Sequence, residues 1–223
     1  AMVEAGITEI GIIIAPETGD EIREVTGDGS KFGAAITYIP QAEPLGLAHA
    51  VLTAEEFIGD SPFVMYLGDN LLRDGIASLA DKFRDSNPDA LILLTRVPDP
   101  ENFGVAELSD GKVVQLAEKP AEPKTDLALV GVYMFTPSIF DAARAIEPSP
   151  RGELEITDAI QHLVDSGRTV EPHLVDGCWK DTSVSGARRG SSPDASSSTR
   201  CGRARWHSSR RTCGVATTSS PPG

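Results

Sequence analysis

Apolar residues along this chain gather in short runs, at Glu9 to Ile14, Ala34 to Ile39, Phe63 to Leu67, Ala90 to Val97 and Leu127 to Phe135. Runs of this length, bounded by Gly, Pro, Asn and Asp, predict strands, and those at Phe63 to Leu67 and Ala90 to Val97 read as buried on both faces. Between them the apolar positions recur at helical spacing. Leu47 to Ile58 reads as one helix, Asp74 to Asp85 as another through Ile76, Leu79, Ala80 and Phe83, and a third carries Ile156, Ile160, Leu163 and Val164 on one face. Ala1 to Ala5 is in a helical register stopped by Gly6, and Thr18 is placed to cap a short helix through Val25. Strands alternating with helices predict an α/β fold, a Rossmann-like, mostly parallel sheet with helices on both faces. One stretch breaks the rhythm. Phe103 to Leu108 and Lys112 to Ala117, joined at Ser109-Asp110-Gly111, predict an inserted β-hairpin, an antiparallel subregion over the rim of the sheet. Thr169 to Val175 reads as a last strand.

In an open α/β sheet, ligands bind outside the carboxyl ends of the strands. The run Phe63-Val64-Met65-Tyr66-Leu67-Gly68-Asp69-Asn70 delivers one carboxylate to such an end. Asp69 is then either the cap or Asx turn of the next element, or a hard oxygen ligand for Mg²⁺ beside substrate phosphates. The loop Gln41 to Ala50 leaves its strand at the same rim, and Gly177-Cys178-Trp179-Lys180-Asp181 puts a second carboxylate just past another strand. His49 falls inside a helical pattern and reads as a packed or surface histidine. Gly131 interrupts the run Leu127 to Phe135, where a missing side chain lets a ligand come close. Glu118 and Lys119, at the close of the hairpin, read on their own as a solvated pair at a strand end.

Composition divides the chain in two. Ser183 to Gly223 holds 11 Ser and 7 Arg but no Leu, Ile, Phe, Met, Tyr, Lys or Glu, so it lacks the means to build a core. Its arginines face a single Asp194, so the formal charge of −13 understates how acidic residues 1–182 are. That balance argues against a nucleic-acid partner. Cys201 and Cys213 lie in the tail and Cys178 stands apart, which gives no disulfide framework or metal spacing and favours a reducing cytoplasm. The apolar runs are too short to span a bilayer, so no membrane association is expected.

Seven motifs now stand in order: QAEPLGLAHA (Gln41 to Ala50), LGDN (Leu67 to Asn70), Phe103-Gly104-Val105, Glu118-Lys119-Pro120, Val130-Gly131-Val132-Tyr133, RGELEITD (Arg151 to Asp158) and Trp179-Lys180-Asp181. In this order the chain resembles the sugar-1-phosphate nucleotidylyltransferases, and among them the bacterial glucose-1-phosphate thymidylyltransferases. The resemblance implies transfer of a nucleotidyl group from dTTP to glucose-1-phosphate, giving dTDP-glucose and pyrophosphate, with Mg²⁺ as cofactor and a homo-oligomer as the full-length assembly. It implies that Asp69 and Asp181 hold the metal. Gln41, Pro44, Gly46 and Leu47, with Gly68 and Asp69, correspond to the nucleotide site. Gly104, Glu118, Lys119, Val130, Gly131 and Trp179 correspond to the sugar-phosphate site, and Lys119 and Arg151 bring positive charge to that phosphate. No protein nucleophile is implied.

Two features depart from the family pattern. The family opens with a strand and a glycine-rich loop carrying cations, and nothing like it precedes Ala1, so residues 1–182 read as a nucleotidyltransferase domain lacking its first β-α unit. Residues 183–223 read as a disordered, out-of-frame tail. On that reading the chain as it stands turns over feebly at most. Two alternatives stay open: a UTP-dependent or other-base enzyme, and a non-catalytic nucleotide-sugar binding module.

Overall fold

The computed structural model describes residues 1–17, 19–175, 179–181 and 213–217, with Lys180, Asp181 and residues 213–217 followed by their backbone alone. The cap expected at Thr18, the turn Gly177-Cys178, and the tail residues 183–212 and 218–223 lie outside the described residues. The chain opens with a turn of 3₁₀ helix, Val3–Ala5, closed by Gly6 in the left-handed conformation. It continues through strand Glu9–Ile14 (β1), helix Gly19–Thr26 (α1), strand Ala35–Pro40 (β2), and helices Leu47–Thr53 (α2) and Glu55–Ile58 (α3). Next come strands Phe63–Leu67 (β3) and Asn70–Leu72 (β4), helix Ala77–Ser86 (α4), strands Ala90–Arg96 (β5), Gly104–Ser109 (β6), Lys112–Glu118 (β7) and Leu127–Phe135 (β8), and helices Ser138–Ala145 (α5) and Ile156–Asp165 (α6). Strands Val170–Leu174 (β9), Trp179–Asp181 (β10) and Cys213–Thr217 (β11) complete the described elements. The single helix expected from Leu47 to Ile58 is α2 and α3, joined at the buried Ala54, whose N–H still bonds back to Ala50 O at 3.2 Å.

Among the described residues the main sheet has nine strands, in the order β2-β1-β11-β3-β8-β5-β9 with the β6-β7 hairpin paired onto β8. The pairings orient β2, β1, β3, β5 and β9 one way, with β8 and β11 opposed. The carboxyl ends of β1, β2 and β3 therefore share one rim. The hairpin turns where its Asp-Gly pair predicts, with Asp110 at φ 50 and Gly111 at φ 75. Both faces of the sheet are covered, as its unbroken apolar runs demand. In β5, Ala90, Ile92 and Leu94 join the layer formed with α2, α5 and α6, while Leu91 and Leu93 join Leu79, Ala80 and Phe83 of α4 on the other face. Each large side chain so buried contributes about 1.5–3 kcal/mol by leaving water. All nine residues of β8 are buried, which makes it the spine of the sheet. Among the described residues no helix is long and apolar enough to cross a membrane.

One stretch of the tail is among the described residues. Cys213–Thr217, within the segment read as disordered, forms a strand between β1 and β3, antiparallel to both, from Glu9↔Thr217 to Ile13↔Cys213 on one side and from Phe63↔Thr217 to Leu67↔Cys213 on the other. The composition argument counted core-forming side chains, whereas a strand flanked on both sides is held by backbone N–H and C=O groups that any non-proline residue supplies. Val215 and Thr217 are also β-branched residues suited to a strand. The amides of Gly214, Val215 and Ala216 should accordingly exchange with solvent as slowly as those of β1. Hydrogen exchange at the rate of an unstructured peptide across these three residues would contradict the pairing.

Candidate active site

The site begins at the turn between β3 and β4. Strand β3 ends at Leu67, Gly68 and Asp69 make the turn, and Asn70 opens β4 with only 3% of its surface exposed. A buried carboxamide needs partners, and Asn70 has three. Its Oδ1 accepts from the Gly131 N–H at 3.1 Å and from the Trp179 indole Nε1–H at 2.6 Å, and its Nδ2 donates to Asp69 Oδ1 at 2.8 Å. This one side chain fixes the Asp69 carboxylate against β8 and Trp179. Gly131 is what makes room for it, since a Cβ there would stand 2.5 Å from Asn70 Nδ2. Strands β4 and β10 pair antiparallel with Asp181 opposite Asn70, so the register brings Asp181 next to the residue that follows Asp69.

Two cavities meet at Asp69. The larger, about 380 Å³, lies at the rim of β1, β2 and β3 and is lined by Ile13, Gln41, Pro44, Gly46 and Leu47 together with Asp69. Gln41 is held at both ends: its backbone N–H donates to Ile14 O at 2.9 Å and its side-chain Nε2 lies 2.8 Å from His49 Nδ1. Gly46 takes φ 101, and a Cβ there would collide with the backbone of Leu154, whose N–H and C=O bond to Leu45 and Ala48. The sequence before α2 is thereby clamped to the segment before α6. The smaller cavity, about 130 Å³, is lined by Gly104, Glu118, Lys119, Gly131, Arg151 and Trp179, and again by Asp69 and Leu47. Phe103 meets Trp179 edge-on, ring centroids 5.9 Å apart, and forms its wall.

Charge in the smaller cavity is organised around Glu118. Its Oε2 accepts from the buried Thr157 hydroxyl at 2.6 Å, and its Oε1 lies 3.1 Å from Arg151 and 3.9 Å from Lys119 Nζ. Lys119 has φ 41, a left-handed conformation costing about 1 kcal/mol; its N–H donates to Phe103 O at 3.0 Å. Arg151 also meets the buried Glu155 at 2.7 Å and Glu153 at 3.9 Å. The Glu155 hydrogen bond leads the causes that raise the Arg151 pKa, so the guanidinium is firmly charged and already matched by carboxylates. Asp158, in the first turn of α6, has its pKa raised, first by burial and then by the charges of Glu155 and Glu118.

The structure thus brings Gln41, Pro44, Gly46 and Leu47 to one cavity, and Gly104, Glu118, Lys119, Gly131, Arg151 and Trp179 to the other, with Asp69 common to both. Gly68 lies in the turn that presents Asp69. Val130 is not brought to the site. Side chains alternate across a strand, so Leu129, Gly131 and Tyr133 face the cavity while Val130 is fully buried in the layer under α4. Asp181, expected just past a strand end, is the last residue of a three-residue strand, and its side chain lies outside the described residues. Among the described residues no cluster of three or more His, Cys, Asp or Glu is poised to hold a metal ion. Mg²⁺ is ordinarily held by one or two carboxylates with substrate phosphates supplying the rest, and an oxygen donor such as Asp69 fits that pattern. Sequence reasoning missed the supporting residues Asn70, Thr157, Glu155 and His49. Asn70, Thr157 and Glu155 lie inside motifs already singled out, but their roles depend on burial, which only the fold reveals.

Two outcomes follow from these contacts. Replacing Asn70 by Leu leaves the Trp179 and Gly131 N–H groups without an acceptor, at about 1–3 kcal/mol each, so denaturant unfolding should show a loss of at least 2 kcal/mol; an unchanged midpoint would contradict the hub. A carboxyl whose folded pKa is raised favours folding only while protonated, and that contribution disappears as pH rises through the folded pKa. Asp158→Asn should therefore stabilise the protein near neutral pH, and the gain should fade as pH drops toward the ordinary 3.8. A gain that grows on acidification would have the wrong sign.

Residues 1–185 match the family described as Nucleotidyl transferase. A glucose-1-phosphate thymidylyltransferase of Streptomyces antibioticus is 59% identical over 184 residues, covering 82% of this chain and 51% of the relative. A UTP–glucose-1-phosphate uridylyltransferase of Haloferax volcanii is 40% identical over 151 residues, 66% of this chain and 61% of that protein. Among solved structures, a putative glucose-1-phosphate thymidylyltransferase from Bacillus anthracis in complex with a sucrose superposes with a TM-score of 0.75 at 35% identity, over 81% of this chain and 73% of that one. The chain spans about half the length of the Streptomyces relative. Over the residues that form both cavities, the chain belongs to the nucleotidyl transferase family.

Proposed function

We propose that the larger cavity takes dTTP, the smaller takes glucose-1-phosphate, and the nucleotidyl group passes between them at Asp69 to give dTDP-glucose and pyrophosphate. The observation that carries this reading is that Asp69 lines both cavities, with Gln41 in one and the Glu118-Lys119 pair in the other. A phosphate oxygen of glucose-1-phosphate attacks the α-phosphorus, and the bond to the departing pyrophosphate breaks with its electron pair. Two polyanions must approach, so the work lies in positioning and in neutralising repulsion. The Gln41 carboxamide, which both donates and accepts, reads the base edge. Glu118, oriented by Thr157 and Arg151, accepts hydrogen bonds from sugar hydroxyls in the cavity that Gly104, Gly131 and Trp179 also line. Lys119 and Arg151 offset the charge of the sugar phosphate. Mg²⁺, for which Asp69 and Asp181 are the proposed ligands, supplies Lewis-acid neutralisation of the phosphates when bound.

A UTP-dependent reaction is the second reading, supported by the likeness to a uridylyltransferase and by the identical hydrogen-bonding edge of uracil and thymine. Assays of pyrophosphate release with dTTP and with UTP separate the two. In such assays Asp69→Asn should lower turnover by about a hundred- to thousand-fold. Lys119→Ala should raise the KM for the sugar phosphate much more than that for the nucleotide, because it contacts only one reactant. Near-normal turnover in Asp69→Asn, or equal shifts of both KM values in Lys119→Ala, would contradict the assignment.

A further inference from the structure

Strand β11 stands in the middle of the sheet, and the reaction described so far makes no use of it. Among the described residues β2 pairs only with β1, β1 with β2 and β11, and β3 with β11 and β8. The backbone ladder from β1 to β3 therefore runs through β11 alone. Neighbouring strands lie about 4.8 Å apart, so β11 holds β1 and β3 roughly 10 Å from one another. Its first residue, Cys213, is paired with Ile13 on one side and Leu67 on the other, and those two residues line the larger cavity. The strand thus ends where the cavity opens. The cavity's walls divide along the same line: Ile13, Ala15 and Gln41 come from β1, β2 and their carboxyl ends, whereas Leu67 and Asp69 come from β3 and its turn. The smaller cavity does not straddle this joint. Gly104, Glu118, Gly131 and Arg151 belong to β6, β7, β8 and the approach to α6, and among the described residues none of β1 or β2 lines it.

We infer that β11 is a positioning strand for the nucleotide: its backbone pairing sets the width of the larger cavity, so that nucleotide binding and pairing of β11 reinforce one another, while glucose-1-phosphate binding depends on that pairing far less. The inference rests on the nucleotide reading of the larger cavity given above. A ligand that touches both walls binds the fully paired sheet better than a state in which β11 has come away and β1 and β3 are no longer held at a fixed separation. Such coupling is reciprocal: the factor by which unpairing weakens the ligand is the factor by which the ligand suppresses unpairing. No particular side chain of β11 is required, only the N–H and C=O groups that its two ladders use.

Hydrogen exchange of the unsubstituted chain, free and then saturated with dTTP and Mg²⁺ or with glucose-1-phosphate, reads the coupling without any variant. Saturation with dTTP should slow the amides of Gly214, Val215 and Ala216 by about fivefold or more, the lower end of ordinary coupling between sites, and glucose-1-phosphate should slow them far less. Calorimetry of Val215→Pro supplies the reciprocal measurement, because proline removes an N–H from a strand flanked on both sides. Its affinity for dTTP should fall by about the factor seen in exchange, and its affinity for glucose-1-phosphate should change by less than about twofold. Equal slowing of β11 by both ligands, or equal loss of both affinities in a folded Val215→Pro chain, would overturn the inference. A dTTP response at the Gln41 and Gly46 amides with β11 unchanged would overturn it too, while leaving the nucleotide site standing. If dTTP reaches neither Gln41 nor Gly46, the reading of the cavity itself falls, and the inference with it.

Discussion

The site depends on one buried carboxamide. Asn70 joins three pieces of chain far apart in sequence, the β3-β4 turn, the middle of β8 and the start of β10, through hydrogen bonds to Asp69, Gly131 and Trp179. Leaving any of these groups unpaired in the interior would cost more than the bond contributes when made. The arrangement is therefore close to all-or-none. Gly131 is required for Asn70 to fit, Asn70 Nδ2 donates to Asp69, and β10 is aligned by pairing with the strand that Asn70 opens. A carboxylate placed this way sits at the wall between two cavities rather than in either one. That placement is what a reaction between two bound phosphates needs.

Around this hub the electrostatics are local. The chain carries a formal charge of −13, and the smaller cavity adds Glu118, Glu153 and Glu155 around one guanidinium. Arg151 is thus a shared counter-ion that holds the Glu118 carboxylate steady. On the proposed reading, a phosphate arriving there would compete with carboxylates for it, so its binding would depend on geometry already set rather than on a surplus of positive charge. Thr157 contributes from the other side, donating to the second oxygen of Glu118. In the larger cavity Gln41 is tied at its backbone to Ile14 and at its side chain to His49.

Much of this was legible in the sequence. Unbroken apolar runs announced β5 and β8, whose side chains alternate between two buried layers, and the Asp110-Gly111 pair placed the hairpin turn. Glycine and carboxylate positions at strand ends marked the rim, and the motif order brought nearly every candidate to one of two adjoining cavities. Other features had no periodicity to read. Strands β4 and β10 have three residues each, too few for any alternation, and exist because they pair with one another. Strand β11 lies in a stretch chosen against on composition, yet it meets two strand edges whose backbone groups need partners. Val130 and Gly131 are neighbours in one motif but face opposite ways, a distinction that burial decides. His49 looked like an ordinary helical residue because its partner, Gln41, lies across a loop.

The central claim is that two ligands occupy separate cavities that share one wall at Asp69. Chemical-shift mapping with each ligand in turn addresses it most directly. Glucose-1-phosphate should move the Trp179 indole and Gly104 resonances, dTTP should move those of Gln41 and Gly46, and the Asp69 amide should respond to both. If both ligands perturb a single common set of residues, or if neither reaches Asp69, the two-cavity account is wrong.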